Sequence, residues 1–235
     1  MYCCANGEDA TLDKLTDYKS IGFYIDVGSH SPHHESVTKC FYDRGWHGIN
    51  IEPQTNRYQE LMAARPRDIN LAVACGAVDG ELELYLGDGL TTAKKDFAHS
   101  DWVITKVAMR QLSAICDEYV RDHPIDFLKI DVEGFERDVI KGMNWTKYRP
   151  RILCIEATVP MSTTPNYEEW EPLVLAAGYE FIEADLVNRY YRDTTDYIEM
   201  AKLYTEIKNY PTTHPLTIKQ RMFDMVDDAL KETNS

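Results

Sequence analysis

Five acidic side chains stand where short apolar runs end: Asp26 before Val27-Gly28, Glu52 after Ile51, Asp131 and Glu133 after Leu128-Lys129-Ile130, and Glu156 after Cys154-Ile155. A carboxylate at the mouth of a buried strand loses hydration and stays there at a cost unless it binds something. Four such ends, Asp26/Gly28, Glu52, Asp131/Glu133 and Glu156, predict a single cleft. Gly28 lets the backbone come close to a ligand, and Glu52 follows it by 24 positions, near the spacing at which an acid accepts from ribose hydroxyls. The chemistry these imply is an adenosine-containing cofactor held beside carboxylates free to handle protons. One glycine and one acid are also what an ordinary turn and a surface glutamate would give. The acids at the other two ends turn the reading toward a site.

The elements needed to position them are strands that alternate with helices. Strands are predicted at residues 23–27, 48–52, 70–75, 125–131 and 152–156, from short apolar runs. Helical spacing is found at 37–44, 55–64, 112–120 and 168–177, the last closed by Gly178. Residues 81–86 alternate, with Leu82, Leu84 and Leu86 on one side, as in an antiparallel or edge strand. Residues 103–109 are read as extended, 87–100 as a mobile loop, and 179–184 with 188–192 as a terminal hairpin. Repeated strand–helix units predict an α/β fold with a mostly parallel sheet and helices on both faces.

Composition narrows the class. Lys and Arg number 25 against 39 Asp and Glu, a formal charge of −14, which argues against nucleic acid and anionic membrane as partners. Between Glu156 and Asp185 there are seven carboxylates and no Lys or Arg, half of that net charge. No run reaches the length of a membrane span and the start lacks a signal-peptide pattern, so membrane insertion is not expected. Six cysteines without a CxxC pair point to reduced thiols and a cytoplasmic setting. The loop after Gly28 continues Ser29-His30-Ser31-Pro32-His33-His34 and lacks G-x-G-x-x-G. It offers no pyrophosphate cradle, so a nicotinamide oxidoreductase is disfavoured.

Several stretches together resemble the FkbM-type S-adenosylmethionine-dependent methyltransferases. These are Gly-Phe-Tyr-Ile-Asp-Val-Gly at 22–28, Ser-Val-Thr at 36–38, Arg-Gly-Trp-His-Gly-Ile-Asn-Ile-Glu-Pro at 44–53 and Phe-Leu-Lys-Ile-Asp-Val-Glu-Gly at 127–134. Glu-Glu-Trp-Glu-Pro at 168–172 with Ala-Gly-Tyr at 177–179, Asn-Gly-Glu-Asp at 6–9 and Asn-Arg-Tyr-Tyr at 188–191 complete the set. The resemblance spans about residues 3–193. It implies a class I methyltransferase (Rossmann-like) fold of seven strands ending in an antiparallel hairpin. Residues 1–193 would form the domain, with 1–20 lying over the cofactor pocket; 194–235 lie outside the resemblance and are read from their spacing as a helical extension whose apolar stripe is Ile218, Met222, Met225, Val226 and Ala229.

The same resemblance implies roles. Asp26, Gly28 and Ser29 would hold the methionine end of the cofactor, Glu52 the ribose, and the backbone at Ala74 and Cys75 the adenine. Asn6, Glu8 and Asp9 would fold over that pocket, with His30, Ser36 and Pro53 beside it. The loop histidines His30, His33 and His34 depart from the family's pattern and are read as bonding backbone or solvent. The implied reaction is in-line methyl transfer to a hydroxyl of a neutral sugar, for example a 6-deoxyhexose such as rhamnose, by a protein acting with or fused to glycosyltransferases. Asp131 and Glu133 are the candidate bases. Asp131 and Glu156 resemble in placement the metal-binding acids of catechol-type methyltransferases and are candidate ligands for Mg²⁺ or Mn²⁺. Trp102, Tyr167 and Trp170 are candidates to stack on a sugar ring. A non-sugar acceptor, or a non-catalytic cofactor-binding module of a glycan-assembly protein, stays open on these residues alone.

Overall fold

The computed structural model describes Cys4 and residues 6–87, 91–121 and 123–195. Met1–Asp193 forms one compact unit and Thr194–Ser235 a second; the helix expected around Ile218 to Ala229 lies outside the described residues. Among the described residues the elements run α1 (Glu8–Leu15), β1 (Phe23–Val27), α2 (Lys39–Asp43), β2 (His47–Ile51), α3 (Thr55–Ala64), β3 (Ile69–Leu71), β4 (Ala74–Cys75), β5 (Gly80–Leu86) and β6 (Thr91–Thr92). They continue with β7 (Val103–Arg110), α4 (Leu112–Tyr119), β8 (Phe127–Ile130), α5 (Glu136–Lys141), β9 (Ile152–Glu156), α6 (Glu171–Ala176), β10 (Tyr179–Ala184) and β11 (Asn188–Asp193).

Seven strands form the main sheet in the order β10-β11-β9-β8-β1-β2-β3. The pairs from β3 through β9 are parallel, and β11 runs antiparallel to both β9 and β10. Register is what places the site. Val27 pairs with Ile51 on one side and Ile130 on the other, and Ile130 pairs with Ile155. Gly28, Glu52, Asp131 and Glu156, each one step further on, therefore form a row along the carboxyl edge of the sheet.

Strand residues alternate between two cores because successive side chains leave opposite faces. Ile25, Val27, Leu128, Ile130, Leu153 and Ile155 pack with Leu112, Ile115, Val139, Ile140 and Val174 of α4, α5 and α6. Tyr24, Phe127, Ile152, Cys154 and Tyr190 pack on the other face with Leu12 and Leu15 of α1, Cys40 and Phe41 of α2, and Trp46. Each such fully buried side chain contributes about 1.5–3 kcal/mol, so the strands are locked in register from both sides. Among the described residues, no helix is long and apolar enough to cross a membrane.

Three expectations change. The strand expected over 70–75 is two strands: β3 ends where its partner β2 ends, and β4 crosses to pair in parallel with β7. It joins a second, four-stranded sheet of order β4-β7-β5-β6, so residues 81–86 and 103–109 pair with each other rather than extending the main sheet. The helix expected from 168 begins at Glu171, after a 3-10 turn at Tyr167–Glu169; Pro172 has no N–H to give and fits only a helix's first turn. The helix α1 has no counterpart in the sequence reading.

Candidate active site

The carboxyl edge opens into a cavity of about 520 Å³, a size suited to a cofactor. Asn6, Glu8, Asp26, Gly28, Ser29, His30, Glu52, Pro53, Ala74 and Cys75 line it, as do Asp131 and Glu133. Asp9 and Ser36 do not. Asp9 is wholly buried in α1 with Oδ1 accepting from the Ala10 N–H at 2.9 Å. Ser36 Oγ accepts from the Arg65 guanidinium at 3.0 Å, which also donates to the Pro32 and Thr38 carbonyls. Ser36 thus belongs to the staple that shapes the loop before α2.

Gly28 turns the chain at φ 81, and a Cβ there would stand 1.8 Å from the Asp131 carbonyl oxygen. Only glycine lets β1 and β8 end side by side. Asp26, 1% exposed, accepts from Thr38 Oγ1 at 3.1 Å through Oδ2; its buried Oδ1 has no hydrogen bond. Glu8 is arranged the same way. Its Oε1 accepts from Asn6 Nδ2 at 3.1 Å and Asn188 Nδ2 at 3.3 Å, while Oε2 is buried and unbonded. Glu8 Oε2 is thus a spare buried acceptor in a cavity-lining carboxylate, fit to take a cationic group such as the ammonium of an amino acid, whereas Asp26 Oδ1 faces the Lys129 ammonium at 3.6 Å.

Glu52 is aligned from both sides: Oε2 accepts from the His30 N–H at 2.9 Å and Oε1 from the Gln54 N–H at 2.8 Å. Each oxygen keeps a lone pair for a ribose hydroxyl. Burial pushes its carboxyl above the usual range, against the pull of those two amides. His30 sits at φ 47 and is exposed, as are His33 and His34. The last two donate backbone N–H groups to Ser31 Oγ at 3.2 Å.

One carboxylate oxygen each from Asp131, Glu133 and Glu156 lies within 4.8 Å of the others; Asp131 and Glu133 line the cavity, whereas Glu156, expected in the same cleft, does not line it. Glu156 Oε2 is buried without a partner. Burial, then the charges of Asp131 and Glu136, raise the Glu133 carboxyl to about 8. Burial and the same neighbours with Glu133 push Glu156 further up. Glu133 is itself in the left-handed region, φ 55, followed by Gly134 at φ 95; such a conformation costs about 1–3 kcal/mol for a non-glycine residue. Glu136 holds the turn from within, Oε1 accepting from the Val132 and Gly134 N–H groups at 3.1 and 3.0 Å.

Three contributors were missed by reading the sequence. Lys129 Nζ lies 3.1 Å from Asp131 Oδ2 and 3.6 Å from Asp26 Oδ1. Burial acts to lower its pKa, but Asp131 and Asp26 outweigh that and hold it well above the ordinary lysine value. A lysine inside the apolar run 127–130 was the available signal, since a buried charge needs partners. Thr38 and Glu136 gave no such signal, because their partners are distant in sequence or contact backbone.

The second sheet forms a wall: Leu82, Leu84, Gly87, Thr91 and Ala93 line the cavity. The segment read as a mobile loop over 87–100 thus carries β6 and a 3-10 turn at Lys95–Phe97 and contributes Gly87, Thr91 and Ala93 to the cavity lining. The stacking candidates fall elsewhere. Trp170 is 2% exposed and packs on Tyr191, Tyr167 lies under the Arg189 guanidinium, and Trp102 covers Gly87.

A seven-stranded sheet with one antiparallel strand next to its edge, and a cofactor-sized cleft along the carboxyl ends of its parallel strands, defines a Rossmann-like methyltransferase. Residues 26–181 match the Methyltransferase FkbM domain, and the chain belongs to the FkbM methyltransferase family. That membership implies S-adenosylmethionine as methyl donor. No curated protein matches the chain. Among solved structures it is similar to the Sp1610 protein of Streptococcus pneumoniae (TM-score 0.43, 11% identity, 94% of this chain and 97% of that one). It is also similar to the fibrillarin pre-rRNA processing protein of Methanococcus jannaschii (TM-score 0.42, 16% identity, 74% and 67%). A third is an NADB-Rossmann superfamily protein of Streptococcus agalactiae (TM-score 0.42, 12% identity, 94% and 94%).

Proposed function

We propose that this protein transfers a methyl group to a hydroxyl of a neutral sugar, in a glycan or glycoside. The observation that carries the reading is the close set of Asp131, Glu133 and Glu156 beside the cavity. A sugar hydroxyl is a poor acid, and a carboxylate whose basicity is raised toward neutral pH suits it as a base. S-adenosylmethionine supplies an electrophilic methyl group when bound. Glu8, through its spare oxygen, and Asp26 would then hold its methionine end, Glu52 its ribose hydroxyls, and the wall at Ala74 and Cys75 its adenine. Glu133 would accept the proton of the acceptor hydroxyl on a carboxylate oxygen, leaving the hydroxyl's own oxygen to attack in line.

Asp131 and Glu156 would hold a divalent cation, Mg²⁺ or Mn²⁺. The unpartnered buried Oε2 of Glu156 and the mutual repulsion of these carboxylates fit such an ion. Its contribution, when bound, is to acidify a coordinated hydroxyl. A net charge of −14 favours a neutral acceptor over a phosphorylated or uronic one.

The test is incubation with isotopically labelled S-adenosylmethionine and a panel of glycosides bearing hexoses and 6-deoxyhexoses, read by mass. Labelled glycoside is expected, with loss of turnover on exhaustive chelation. Labelling of non-sugar hydroxyls alone overturns the acceptor class, and stabilisation by NAD alone overturns the cofactor. Turnover indifferent to chelation removes the metal.

A further inference from the structure

The strained turn that carries Glu133 is gripped from outside by the second sheet. Thr92 is 1% exposed and belongs to β6, paired with Tyr85 of β5. Its Oγ1 donates to the Glu133 carbonyl at 2.7 Å and accepts from the Lys94 N–H at 3.0 Å. Both roles of the hydroxyl are thereby used. The residues after Thr92 lie along the same turn. A Cβ on Gly134 would stand 2.5 Å from Phe97, so the glycine leaves room for that ring. Lys94 Nζ sits 5.4 Å above the Phe135 ring and 3.9 Å from Asp138 Oδ2.

Glu136 ties the amides on either side of Glu133 from within. The Glu133 carbonyl faces the other way and takes Thr92. A left-handed glutamate persists only where its surroundings over-determine it, and these two grips are what the structure provides.

We propose that Thr92 is a positioning residue: its hydroxyl holds the Glu133 peptide in the left-handed conformation that presents the Glu133 carboxylate to the acceptor, so the second sheet sets the catalytic turn. This rests on Glu133 as the proton acceptor, while the hold itself is measurable without any substrate. Thr91 and Ala93 line the cavity on either side of Thr92, so the hold lies in the cavity wall.

The experiment compares wild type with Thr92→Val, which keeps the shape and removes the hydroxyl, and with Thr92→Ser, which keeps the hydroxyl. Hydrogen exchange is followed by mass in the peptide containing residues 131–135, with the β1 peptide as control. Thr92→Val is expected to speed exchange in the turn by about tenfold or more and leave β1 unchanged. Thr92→Ser should restore protection. On an acceptor found in the glycoside panel, Thr92→Val should lower kcat about tenfold while S-adenosylhomocysteine binds as in wild type. Unchanged exchange in Thr92→Val, or serine no better than valine, overturns the proposal. If Thr92→Val does not fold, Thr92→Ala takes its place with the same criteria. If no glycoside is methylated, the acceptor reading fails while the exchange data still decide the role of Thr92.

Discussion

Lys129 Nζ stands 3.1 Å from Asp131 Oδ2 and 3.6 Å from Asp26 Oδ1, so one ammonium links the ends of the neighbouring strands β8 and β1. The same ammonium lies 3.5 Å from the Gly28 carbonyl. Replacing it leaves Asp26 buried with no lysine beside it, and Asp131, which is partly exposed, without its partner. Lys129→Met is therefore expected to lose about 3–5 kcal/mol of stability and to weaken S-adenosylhomocysteine binding. Urea unfolding and calorimetry check this; a variant as stable as wild type would show that the pair contributes nothing net.

The acidic cluster predicts an inverted pH profile for the cation-free protein. Glu133 is raised to about 8 and Glu136 to about 7, both first by burial, and Glu156 is raised further. Native carboxyls raised above their unfolded values hold protons that the unfolded chain has released, so stability falls as pH rises. In chelator, the melting temperature should decline from about pH 5 to pH 9. Mg²⁺ or Mn²⁺ should flatten that decline by occupying the site. A melting temperature that climbs across this range in chelator would contradict the burial of these acids.

Gly28 and Gly45 separate strain from collision. Both have positive φ, 81 and 105, but a Cβ at Gly45 meets nothing within 4 Å whereas one at Gly28 meets the Asp131 carbonyl. Gly45→Ala should cost about 1–2 kcal/mol and retain cofactor binding. Gly28→Ala should abolish binding, and with it much of the fold at the β1–β8 edge. Titration of both variants with S-adenosylhomocysteine checks it; equal losses would mean the close approach does not matter.

Glu52→Gln keeps the size of the side chain but turns one of its two acceptor oxygens into an amide, facing either the His30 or the Gln54 N–H. The expected loss in cofactor affinity is about 1.5–3 kcal/mol, that of a hydrogen bond to a charged group. Calorimetry measures it, with NAD as a control that should bind neither protein. Undiminished affinity would remove Glu52 from the ribose site.

Much of this architecture was legible because its signals are local. Residues 23–27, 55–64 and 152–156 carry apolar runs or helical spacing that form β1, α3 and β9 at those bounds. The acids at the strand ends were legible for a similar reason, since a charge after an apolar run marks where burial stops. What short-range pattern could not supply was pairing. Residues 81–86 alternate equally well in either sheet, and only the partner β7 decides. Nor could it show that Asp9 faces inward while Glu8 faces the cavity, or that Trp170 fills a core.

The sequence by itself determined the strand ends, their acids and the single glycine of the β1 turn, because these follow from hydrophobic runs and from what backbone geometry permits. The tertiary structure alone decided which acids meet. The register of Val27, Ile51, Ile130 and Ile155 aligns four distant strand ends in one row, and the second sheet reaches over to hold Glu133 through Thr92. Those relations are made by residues up to about a hundred positions apart, and a chain reveals them only once closed packing has forced them together.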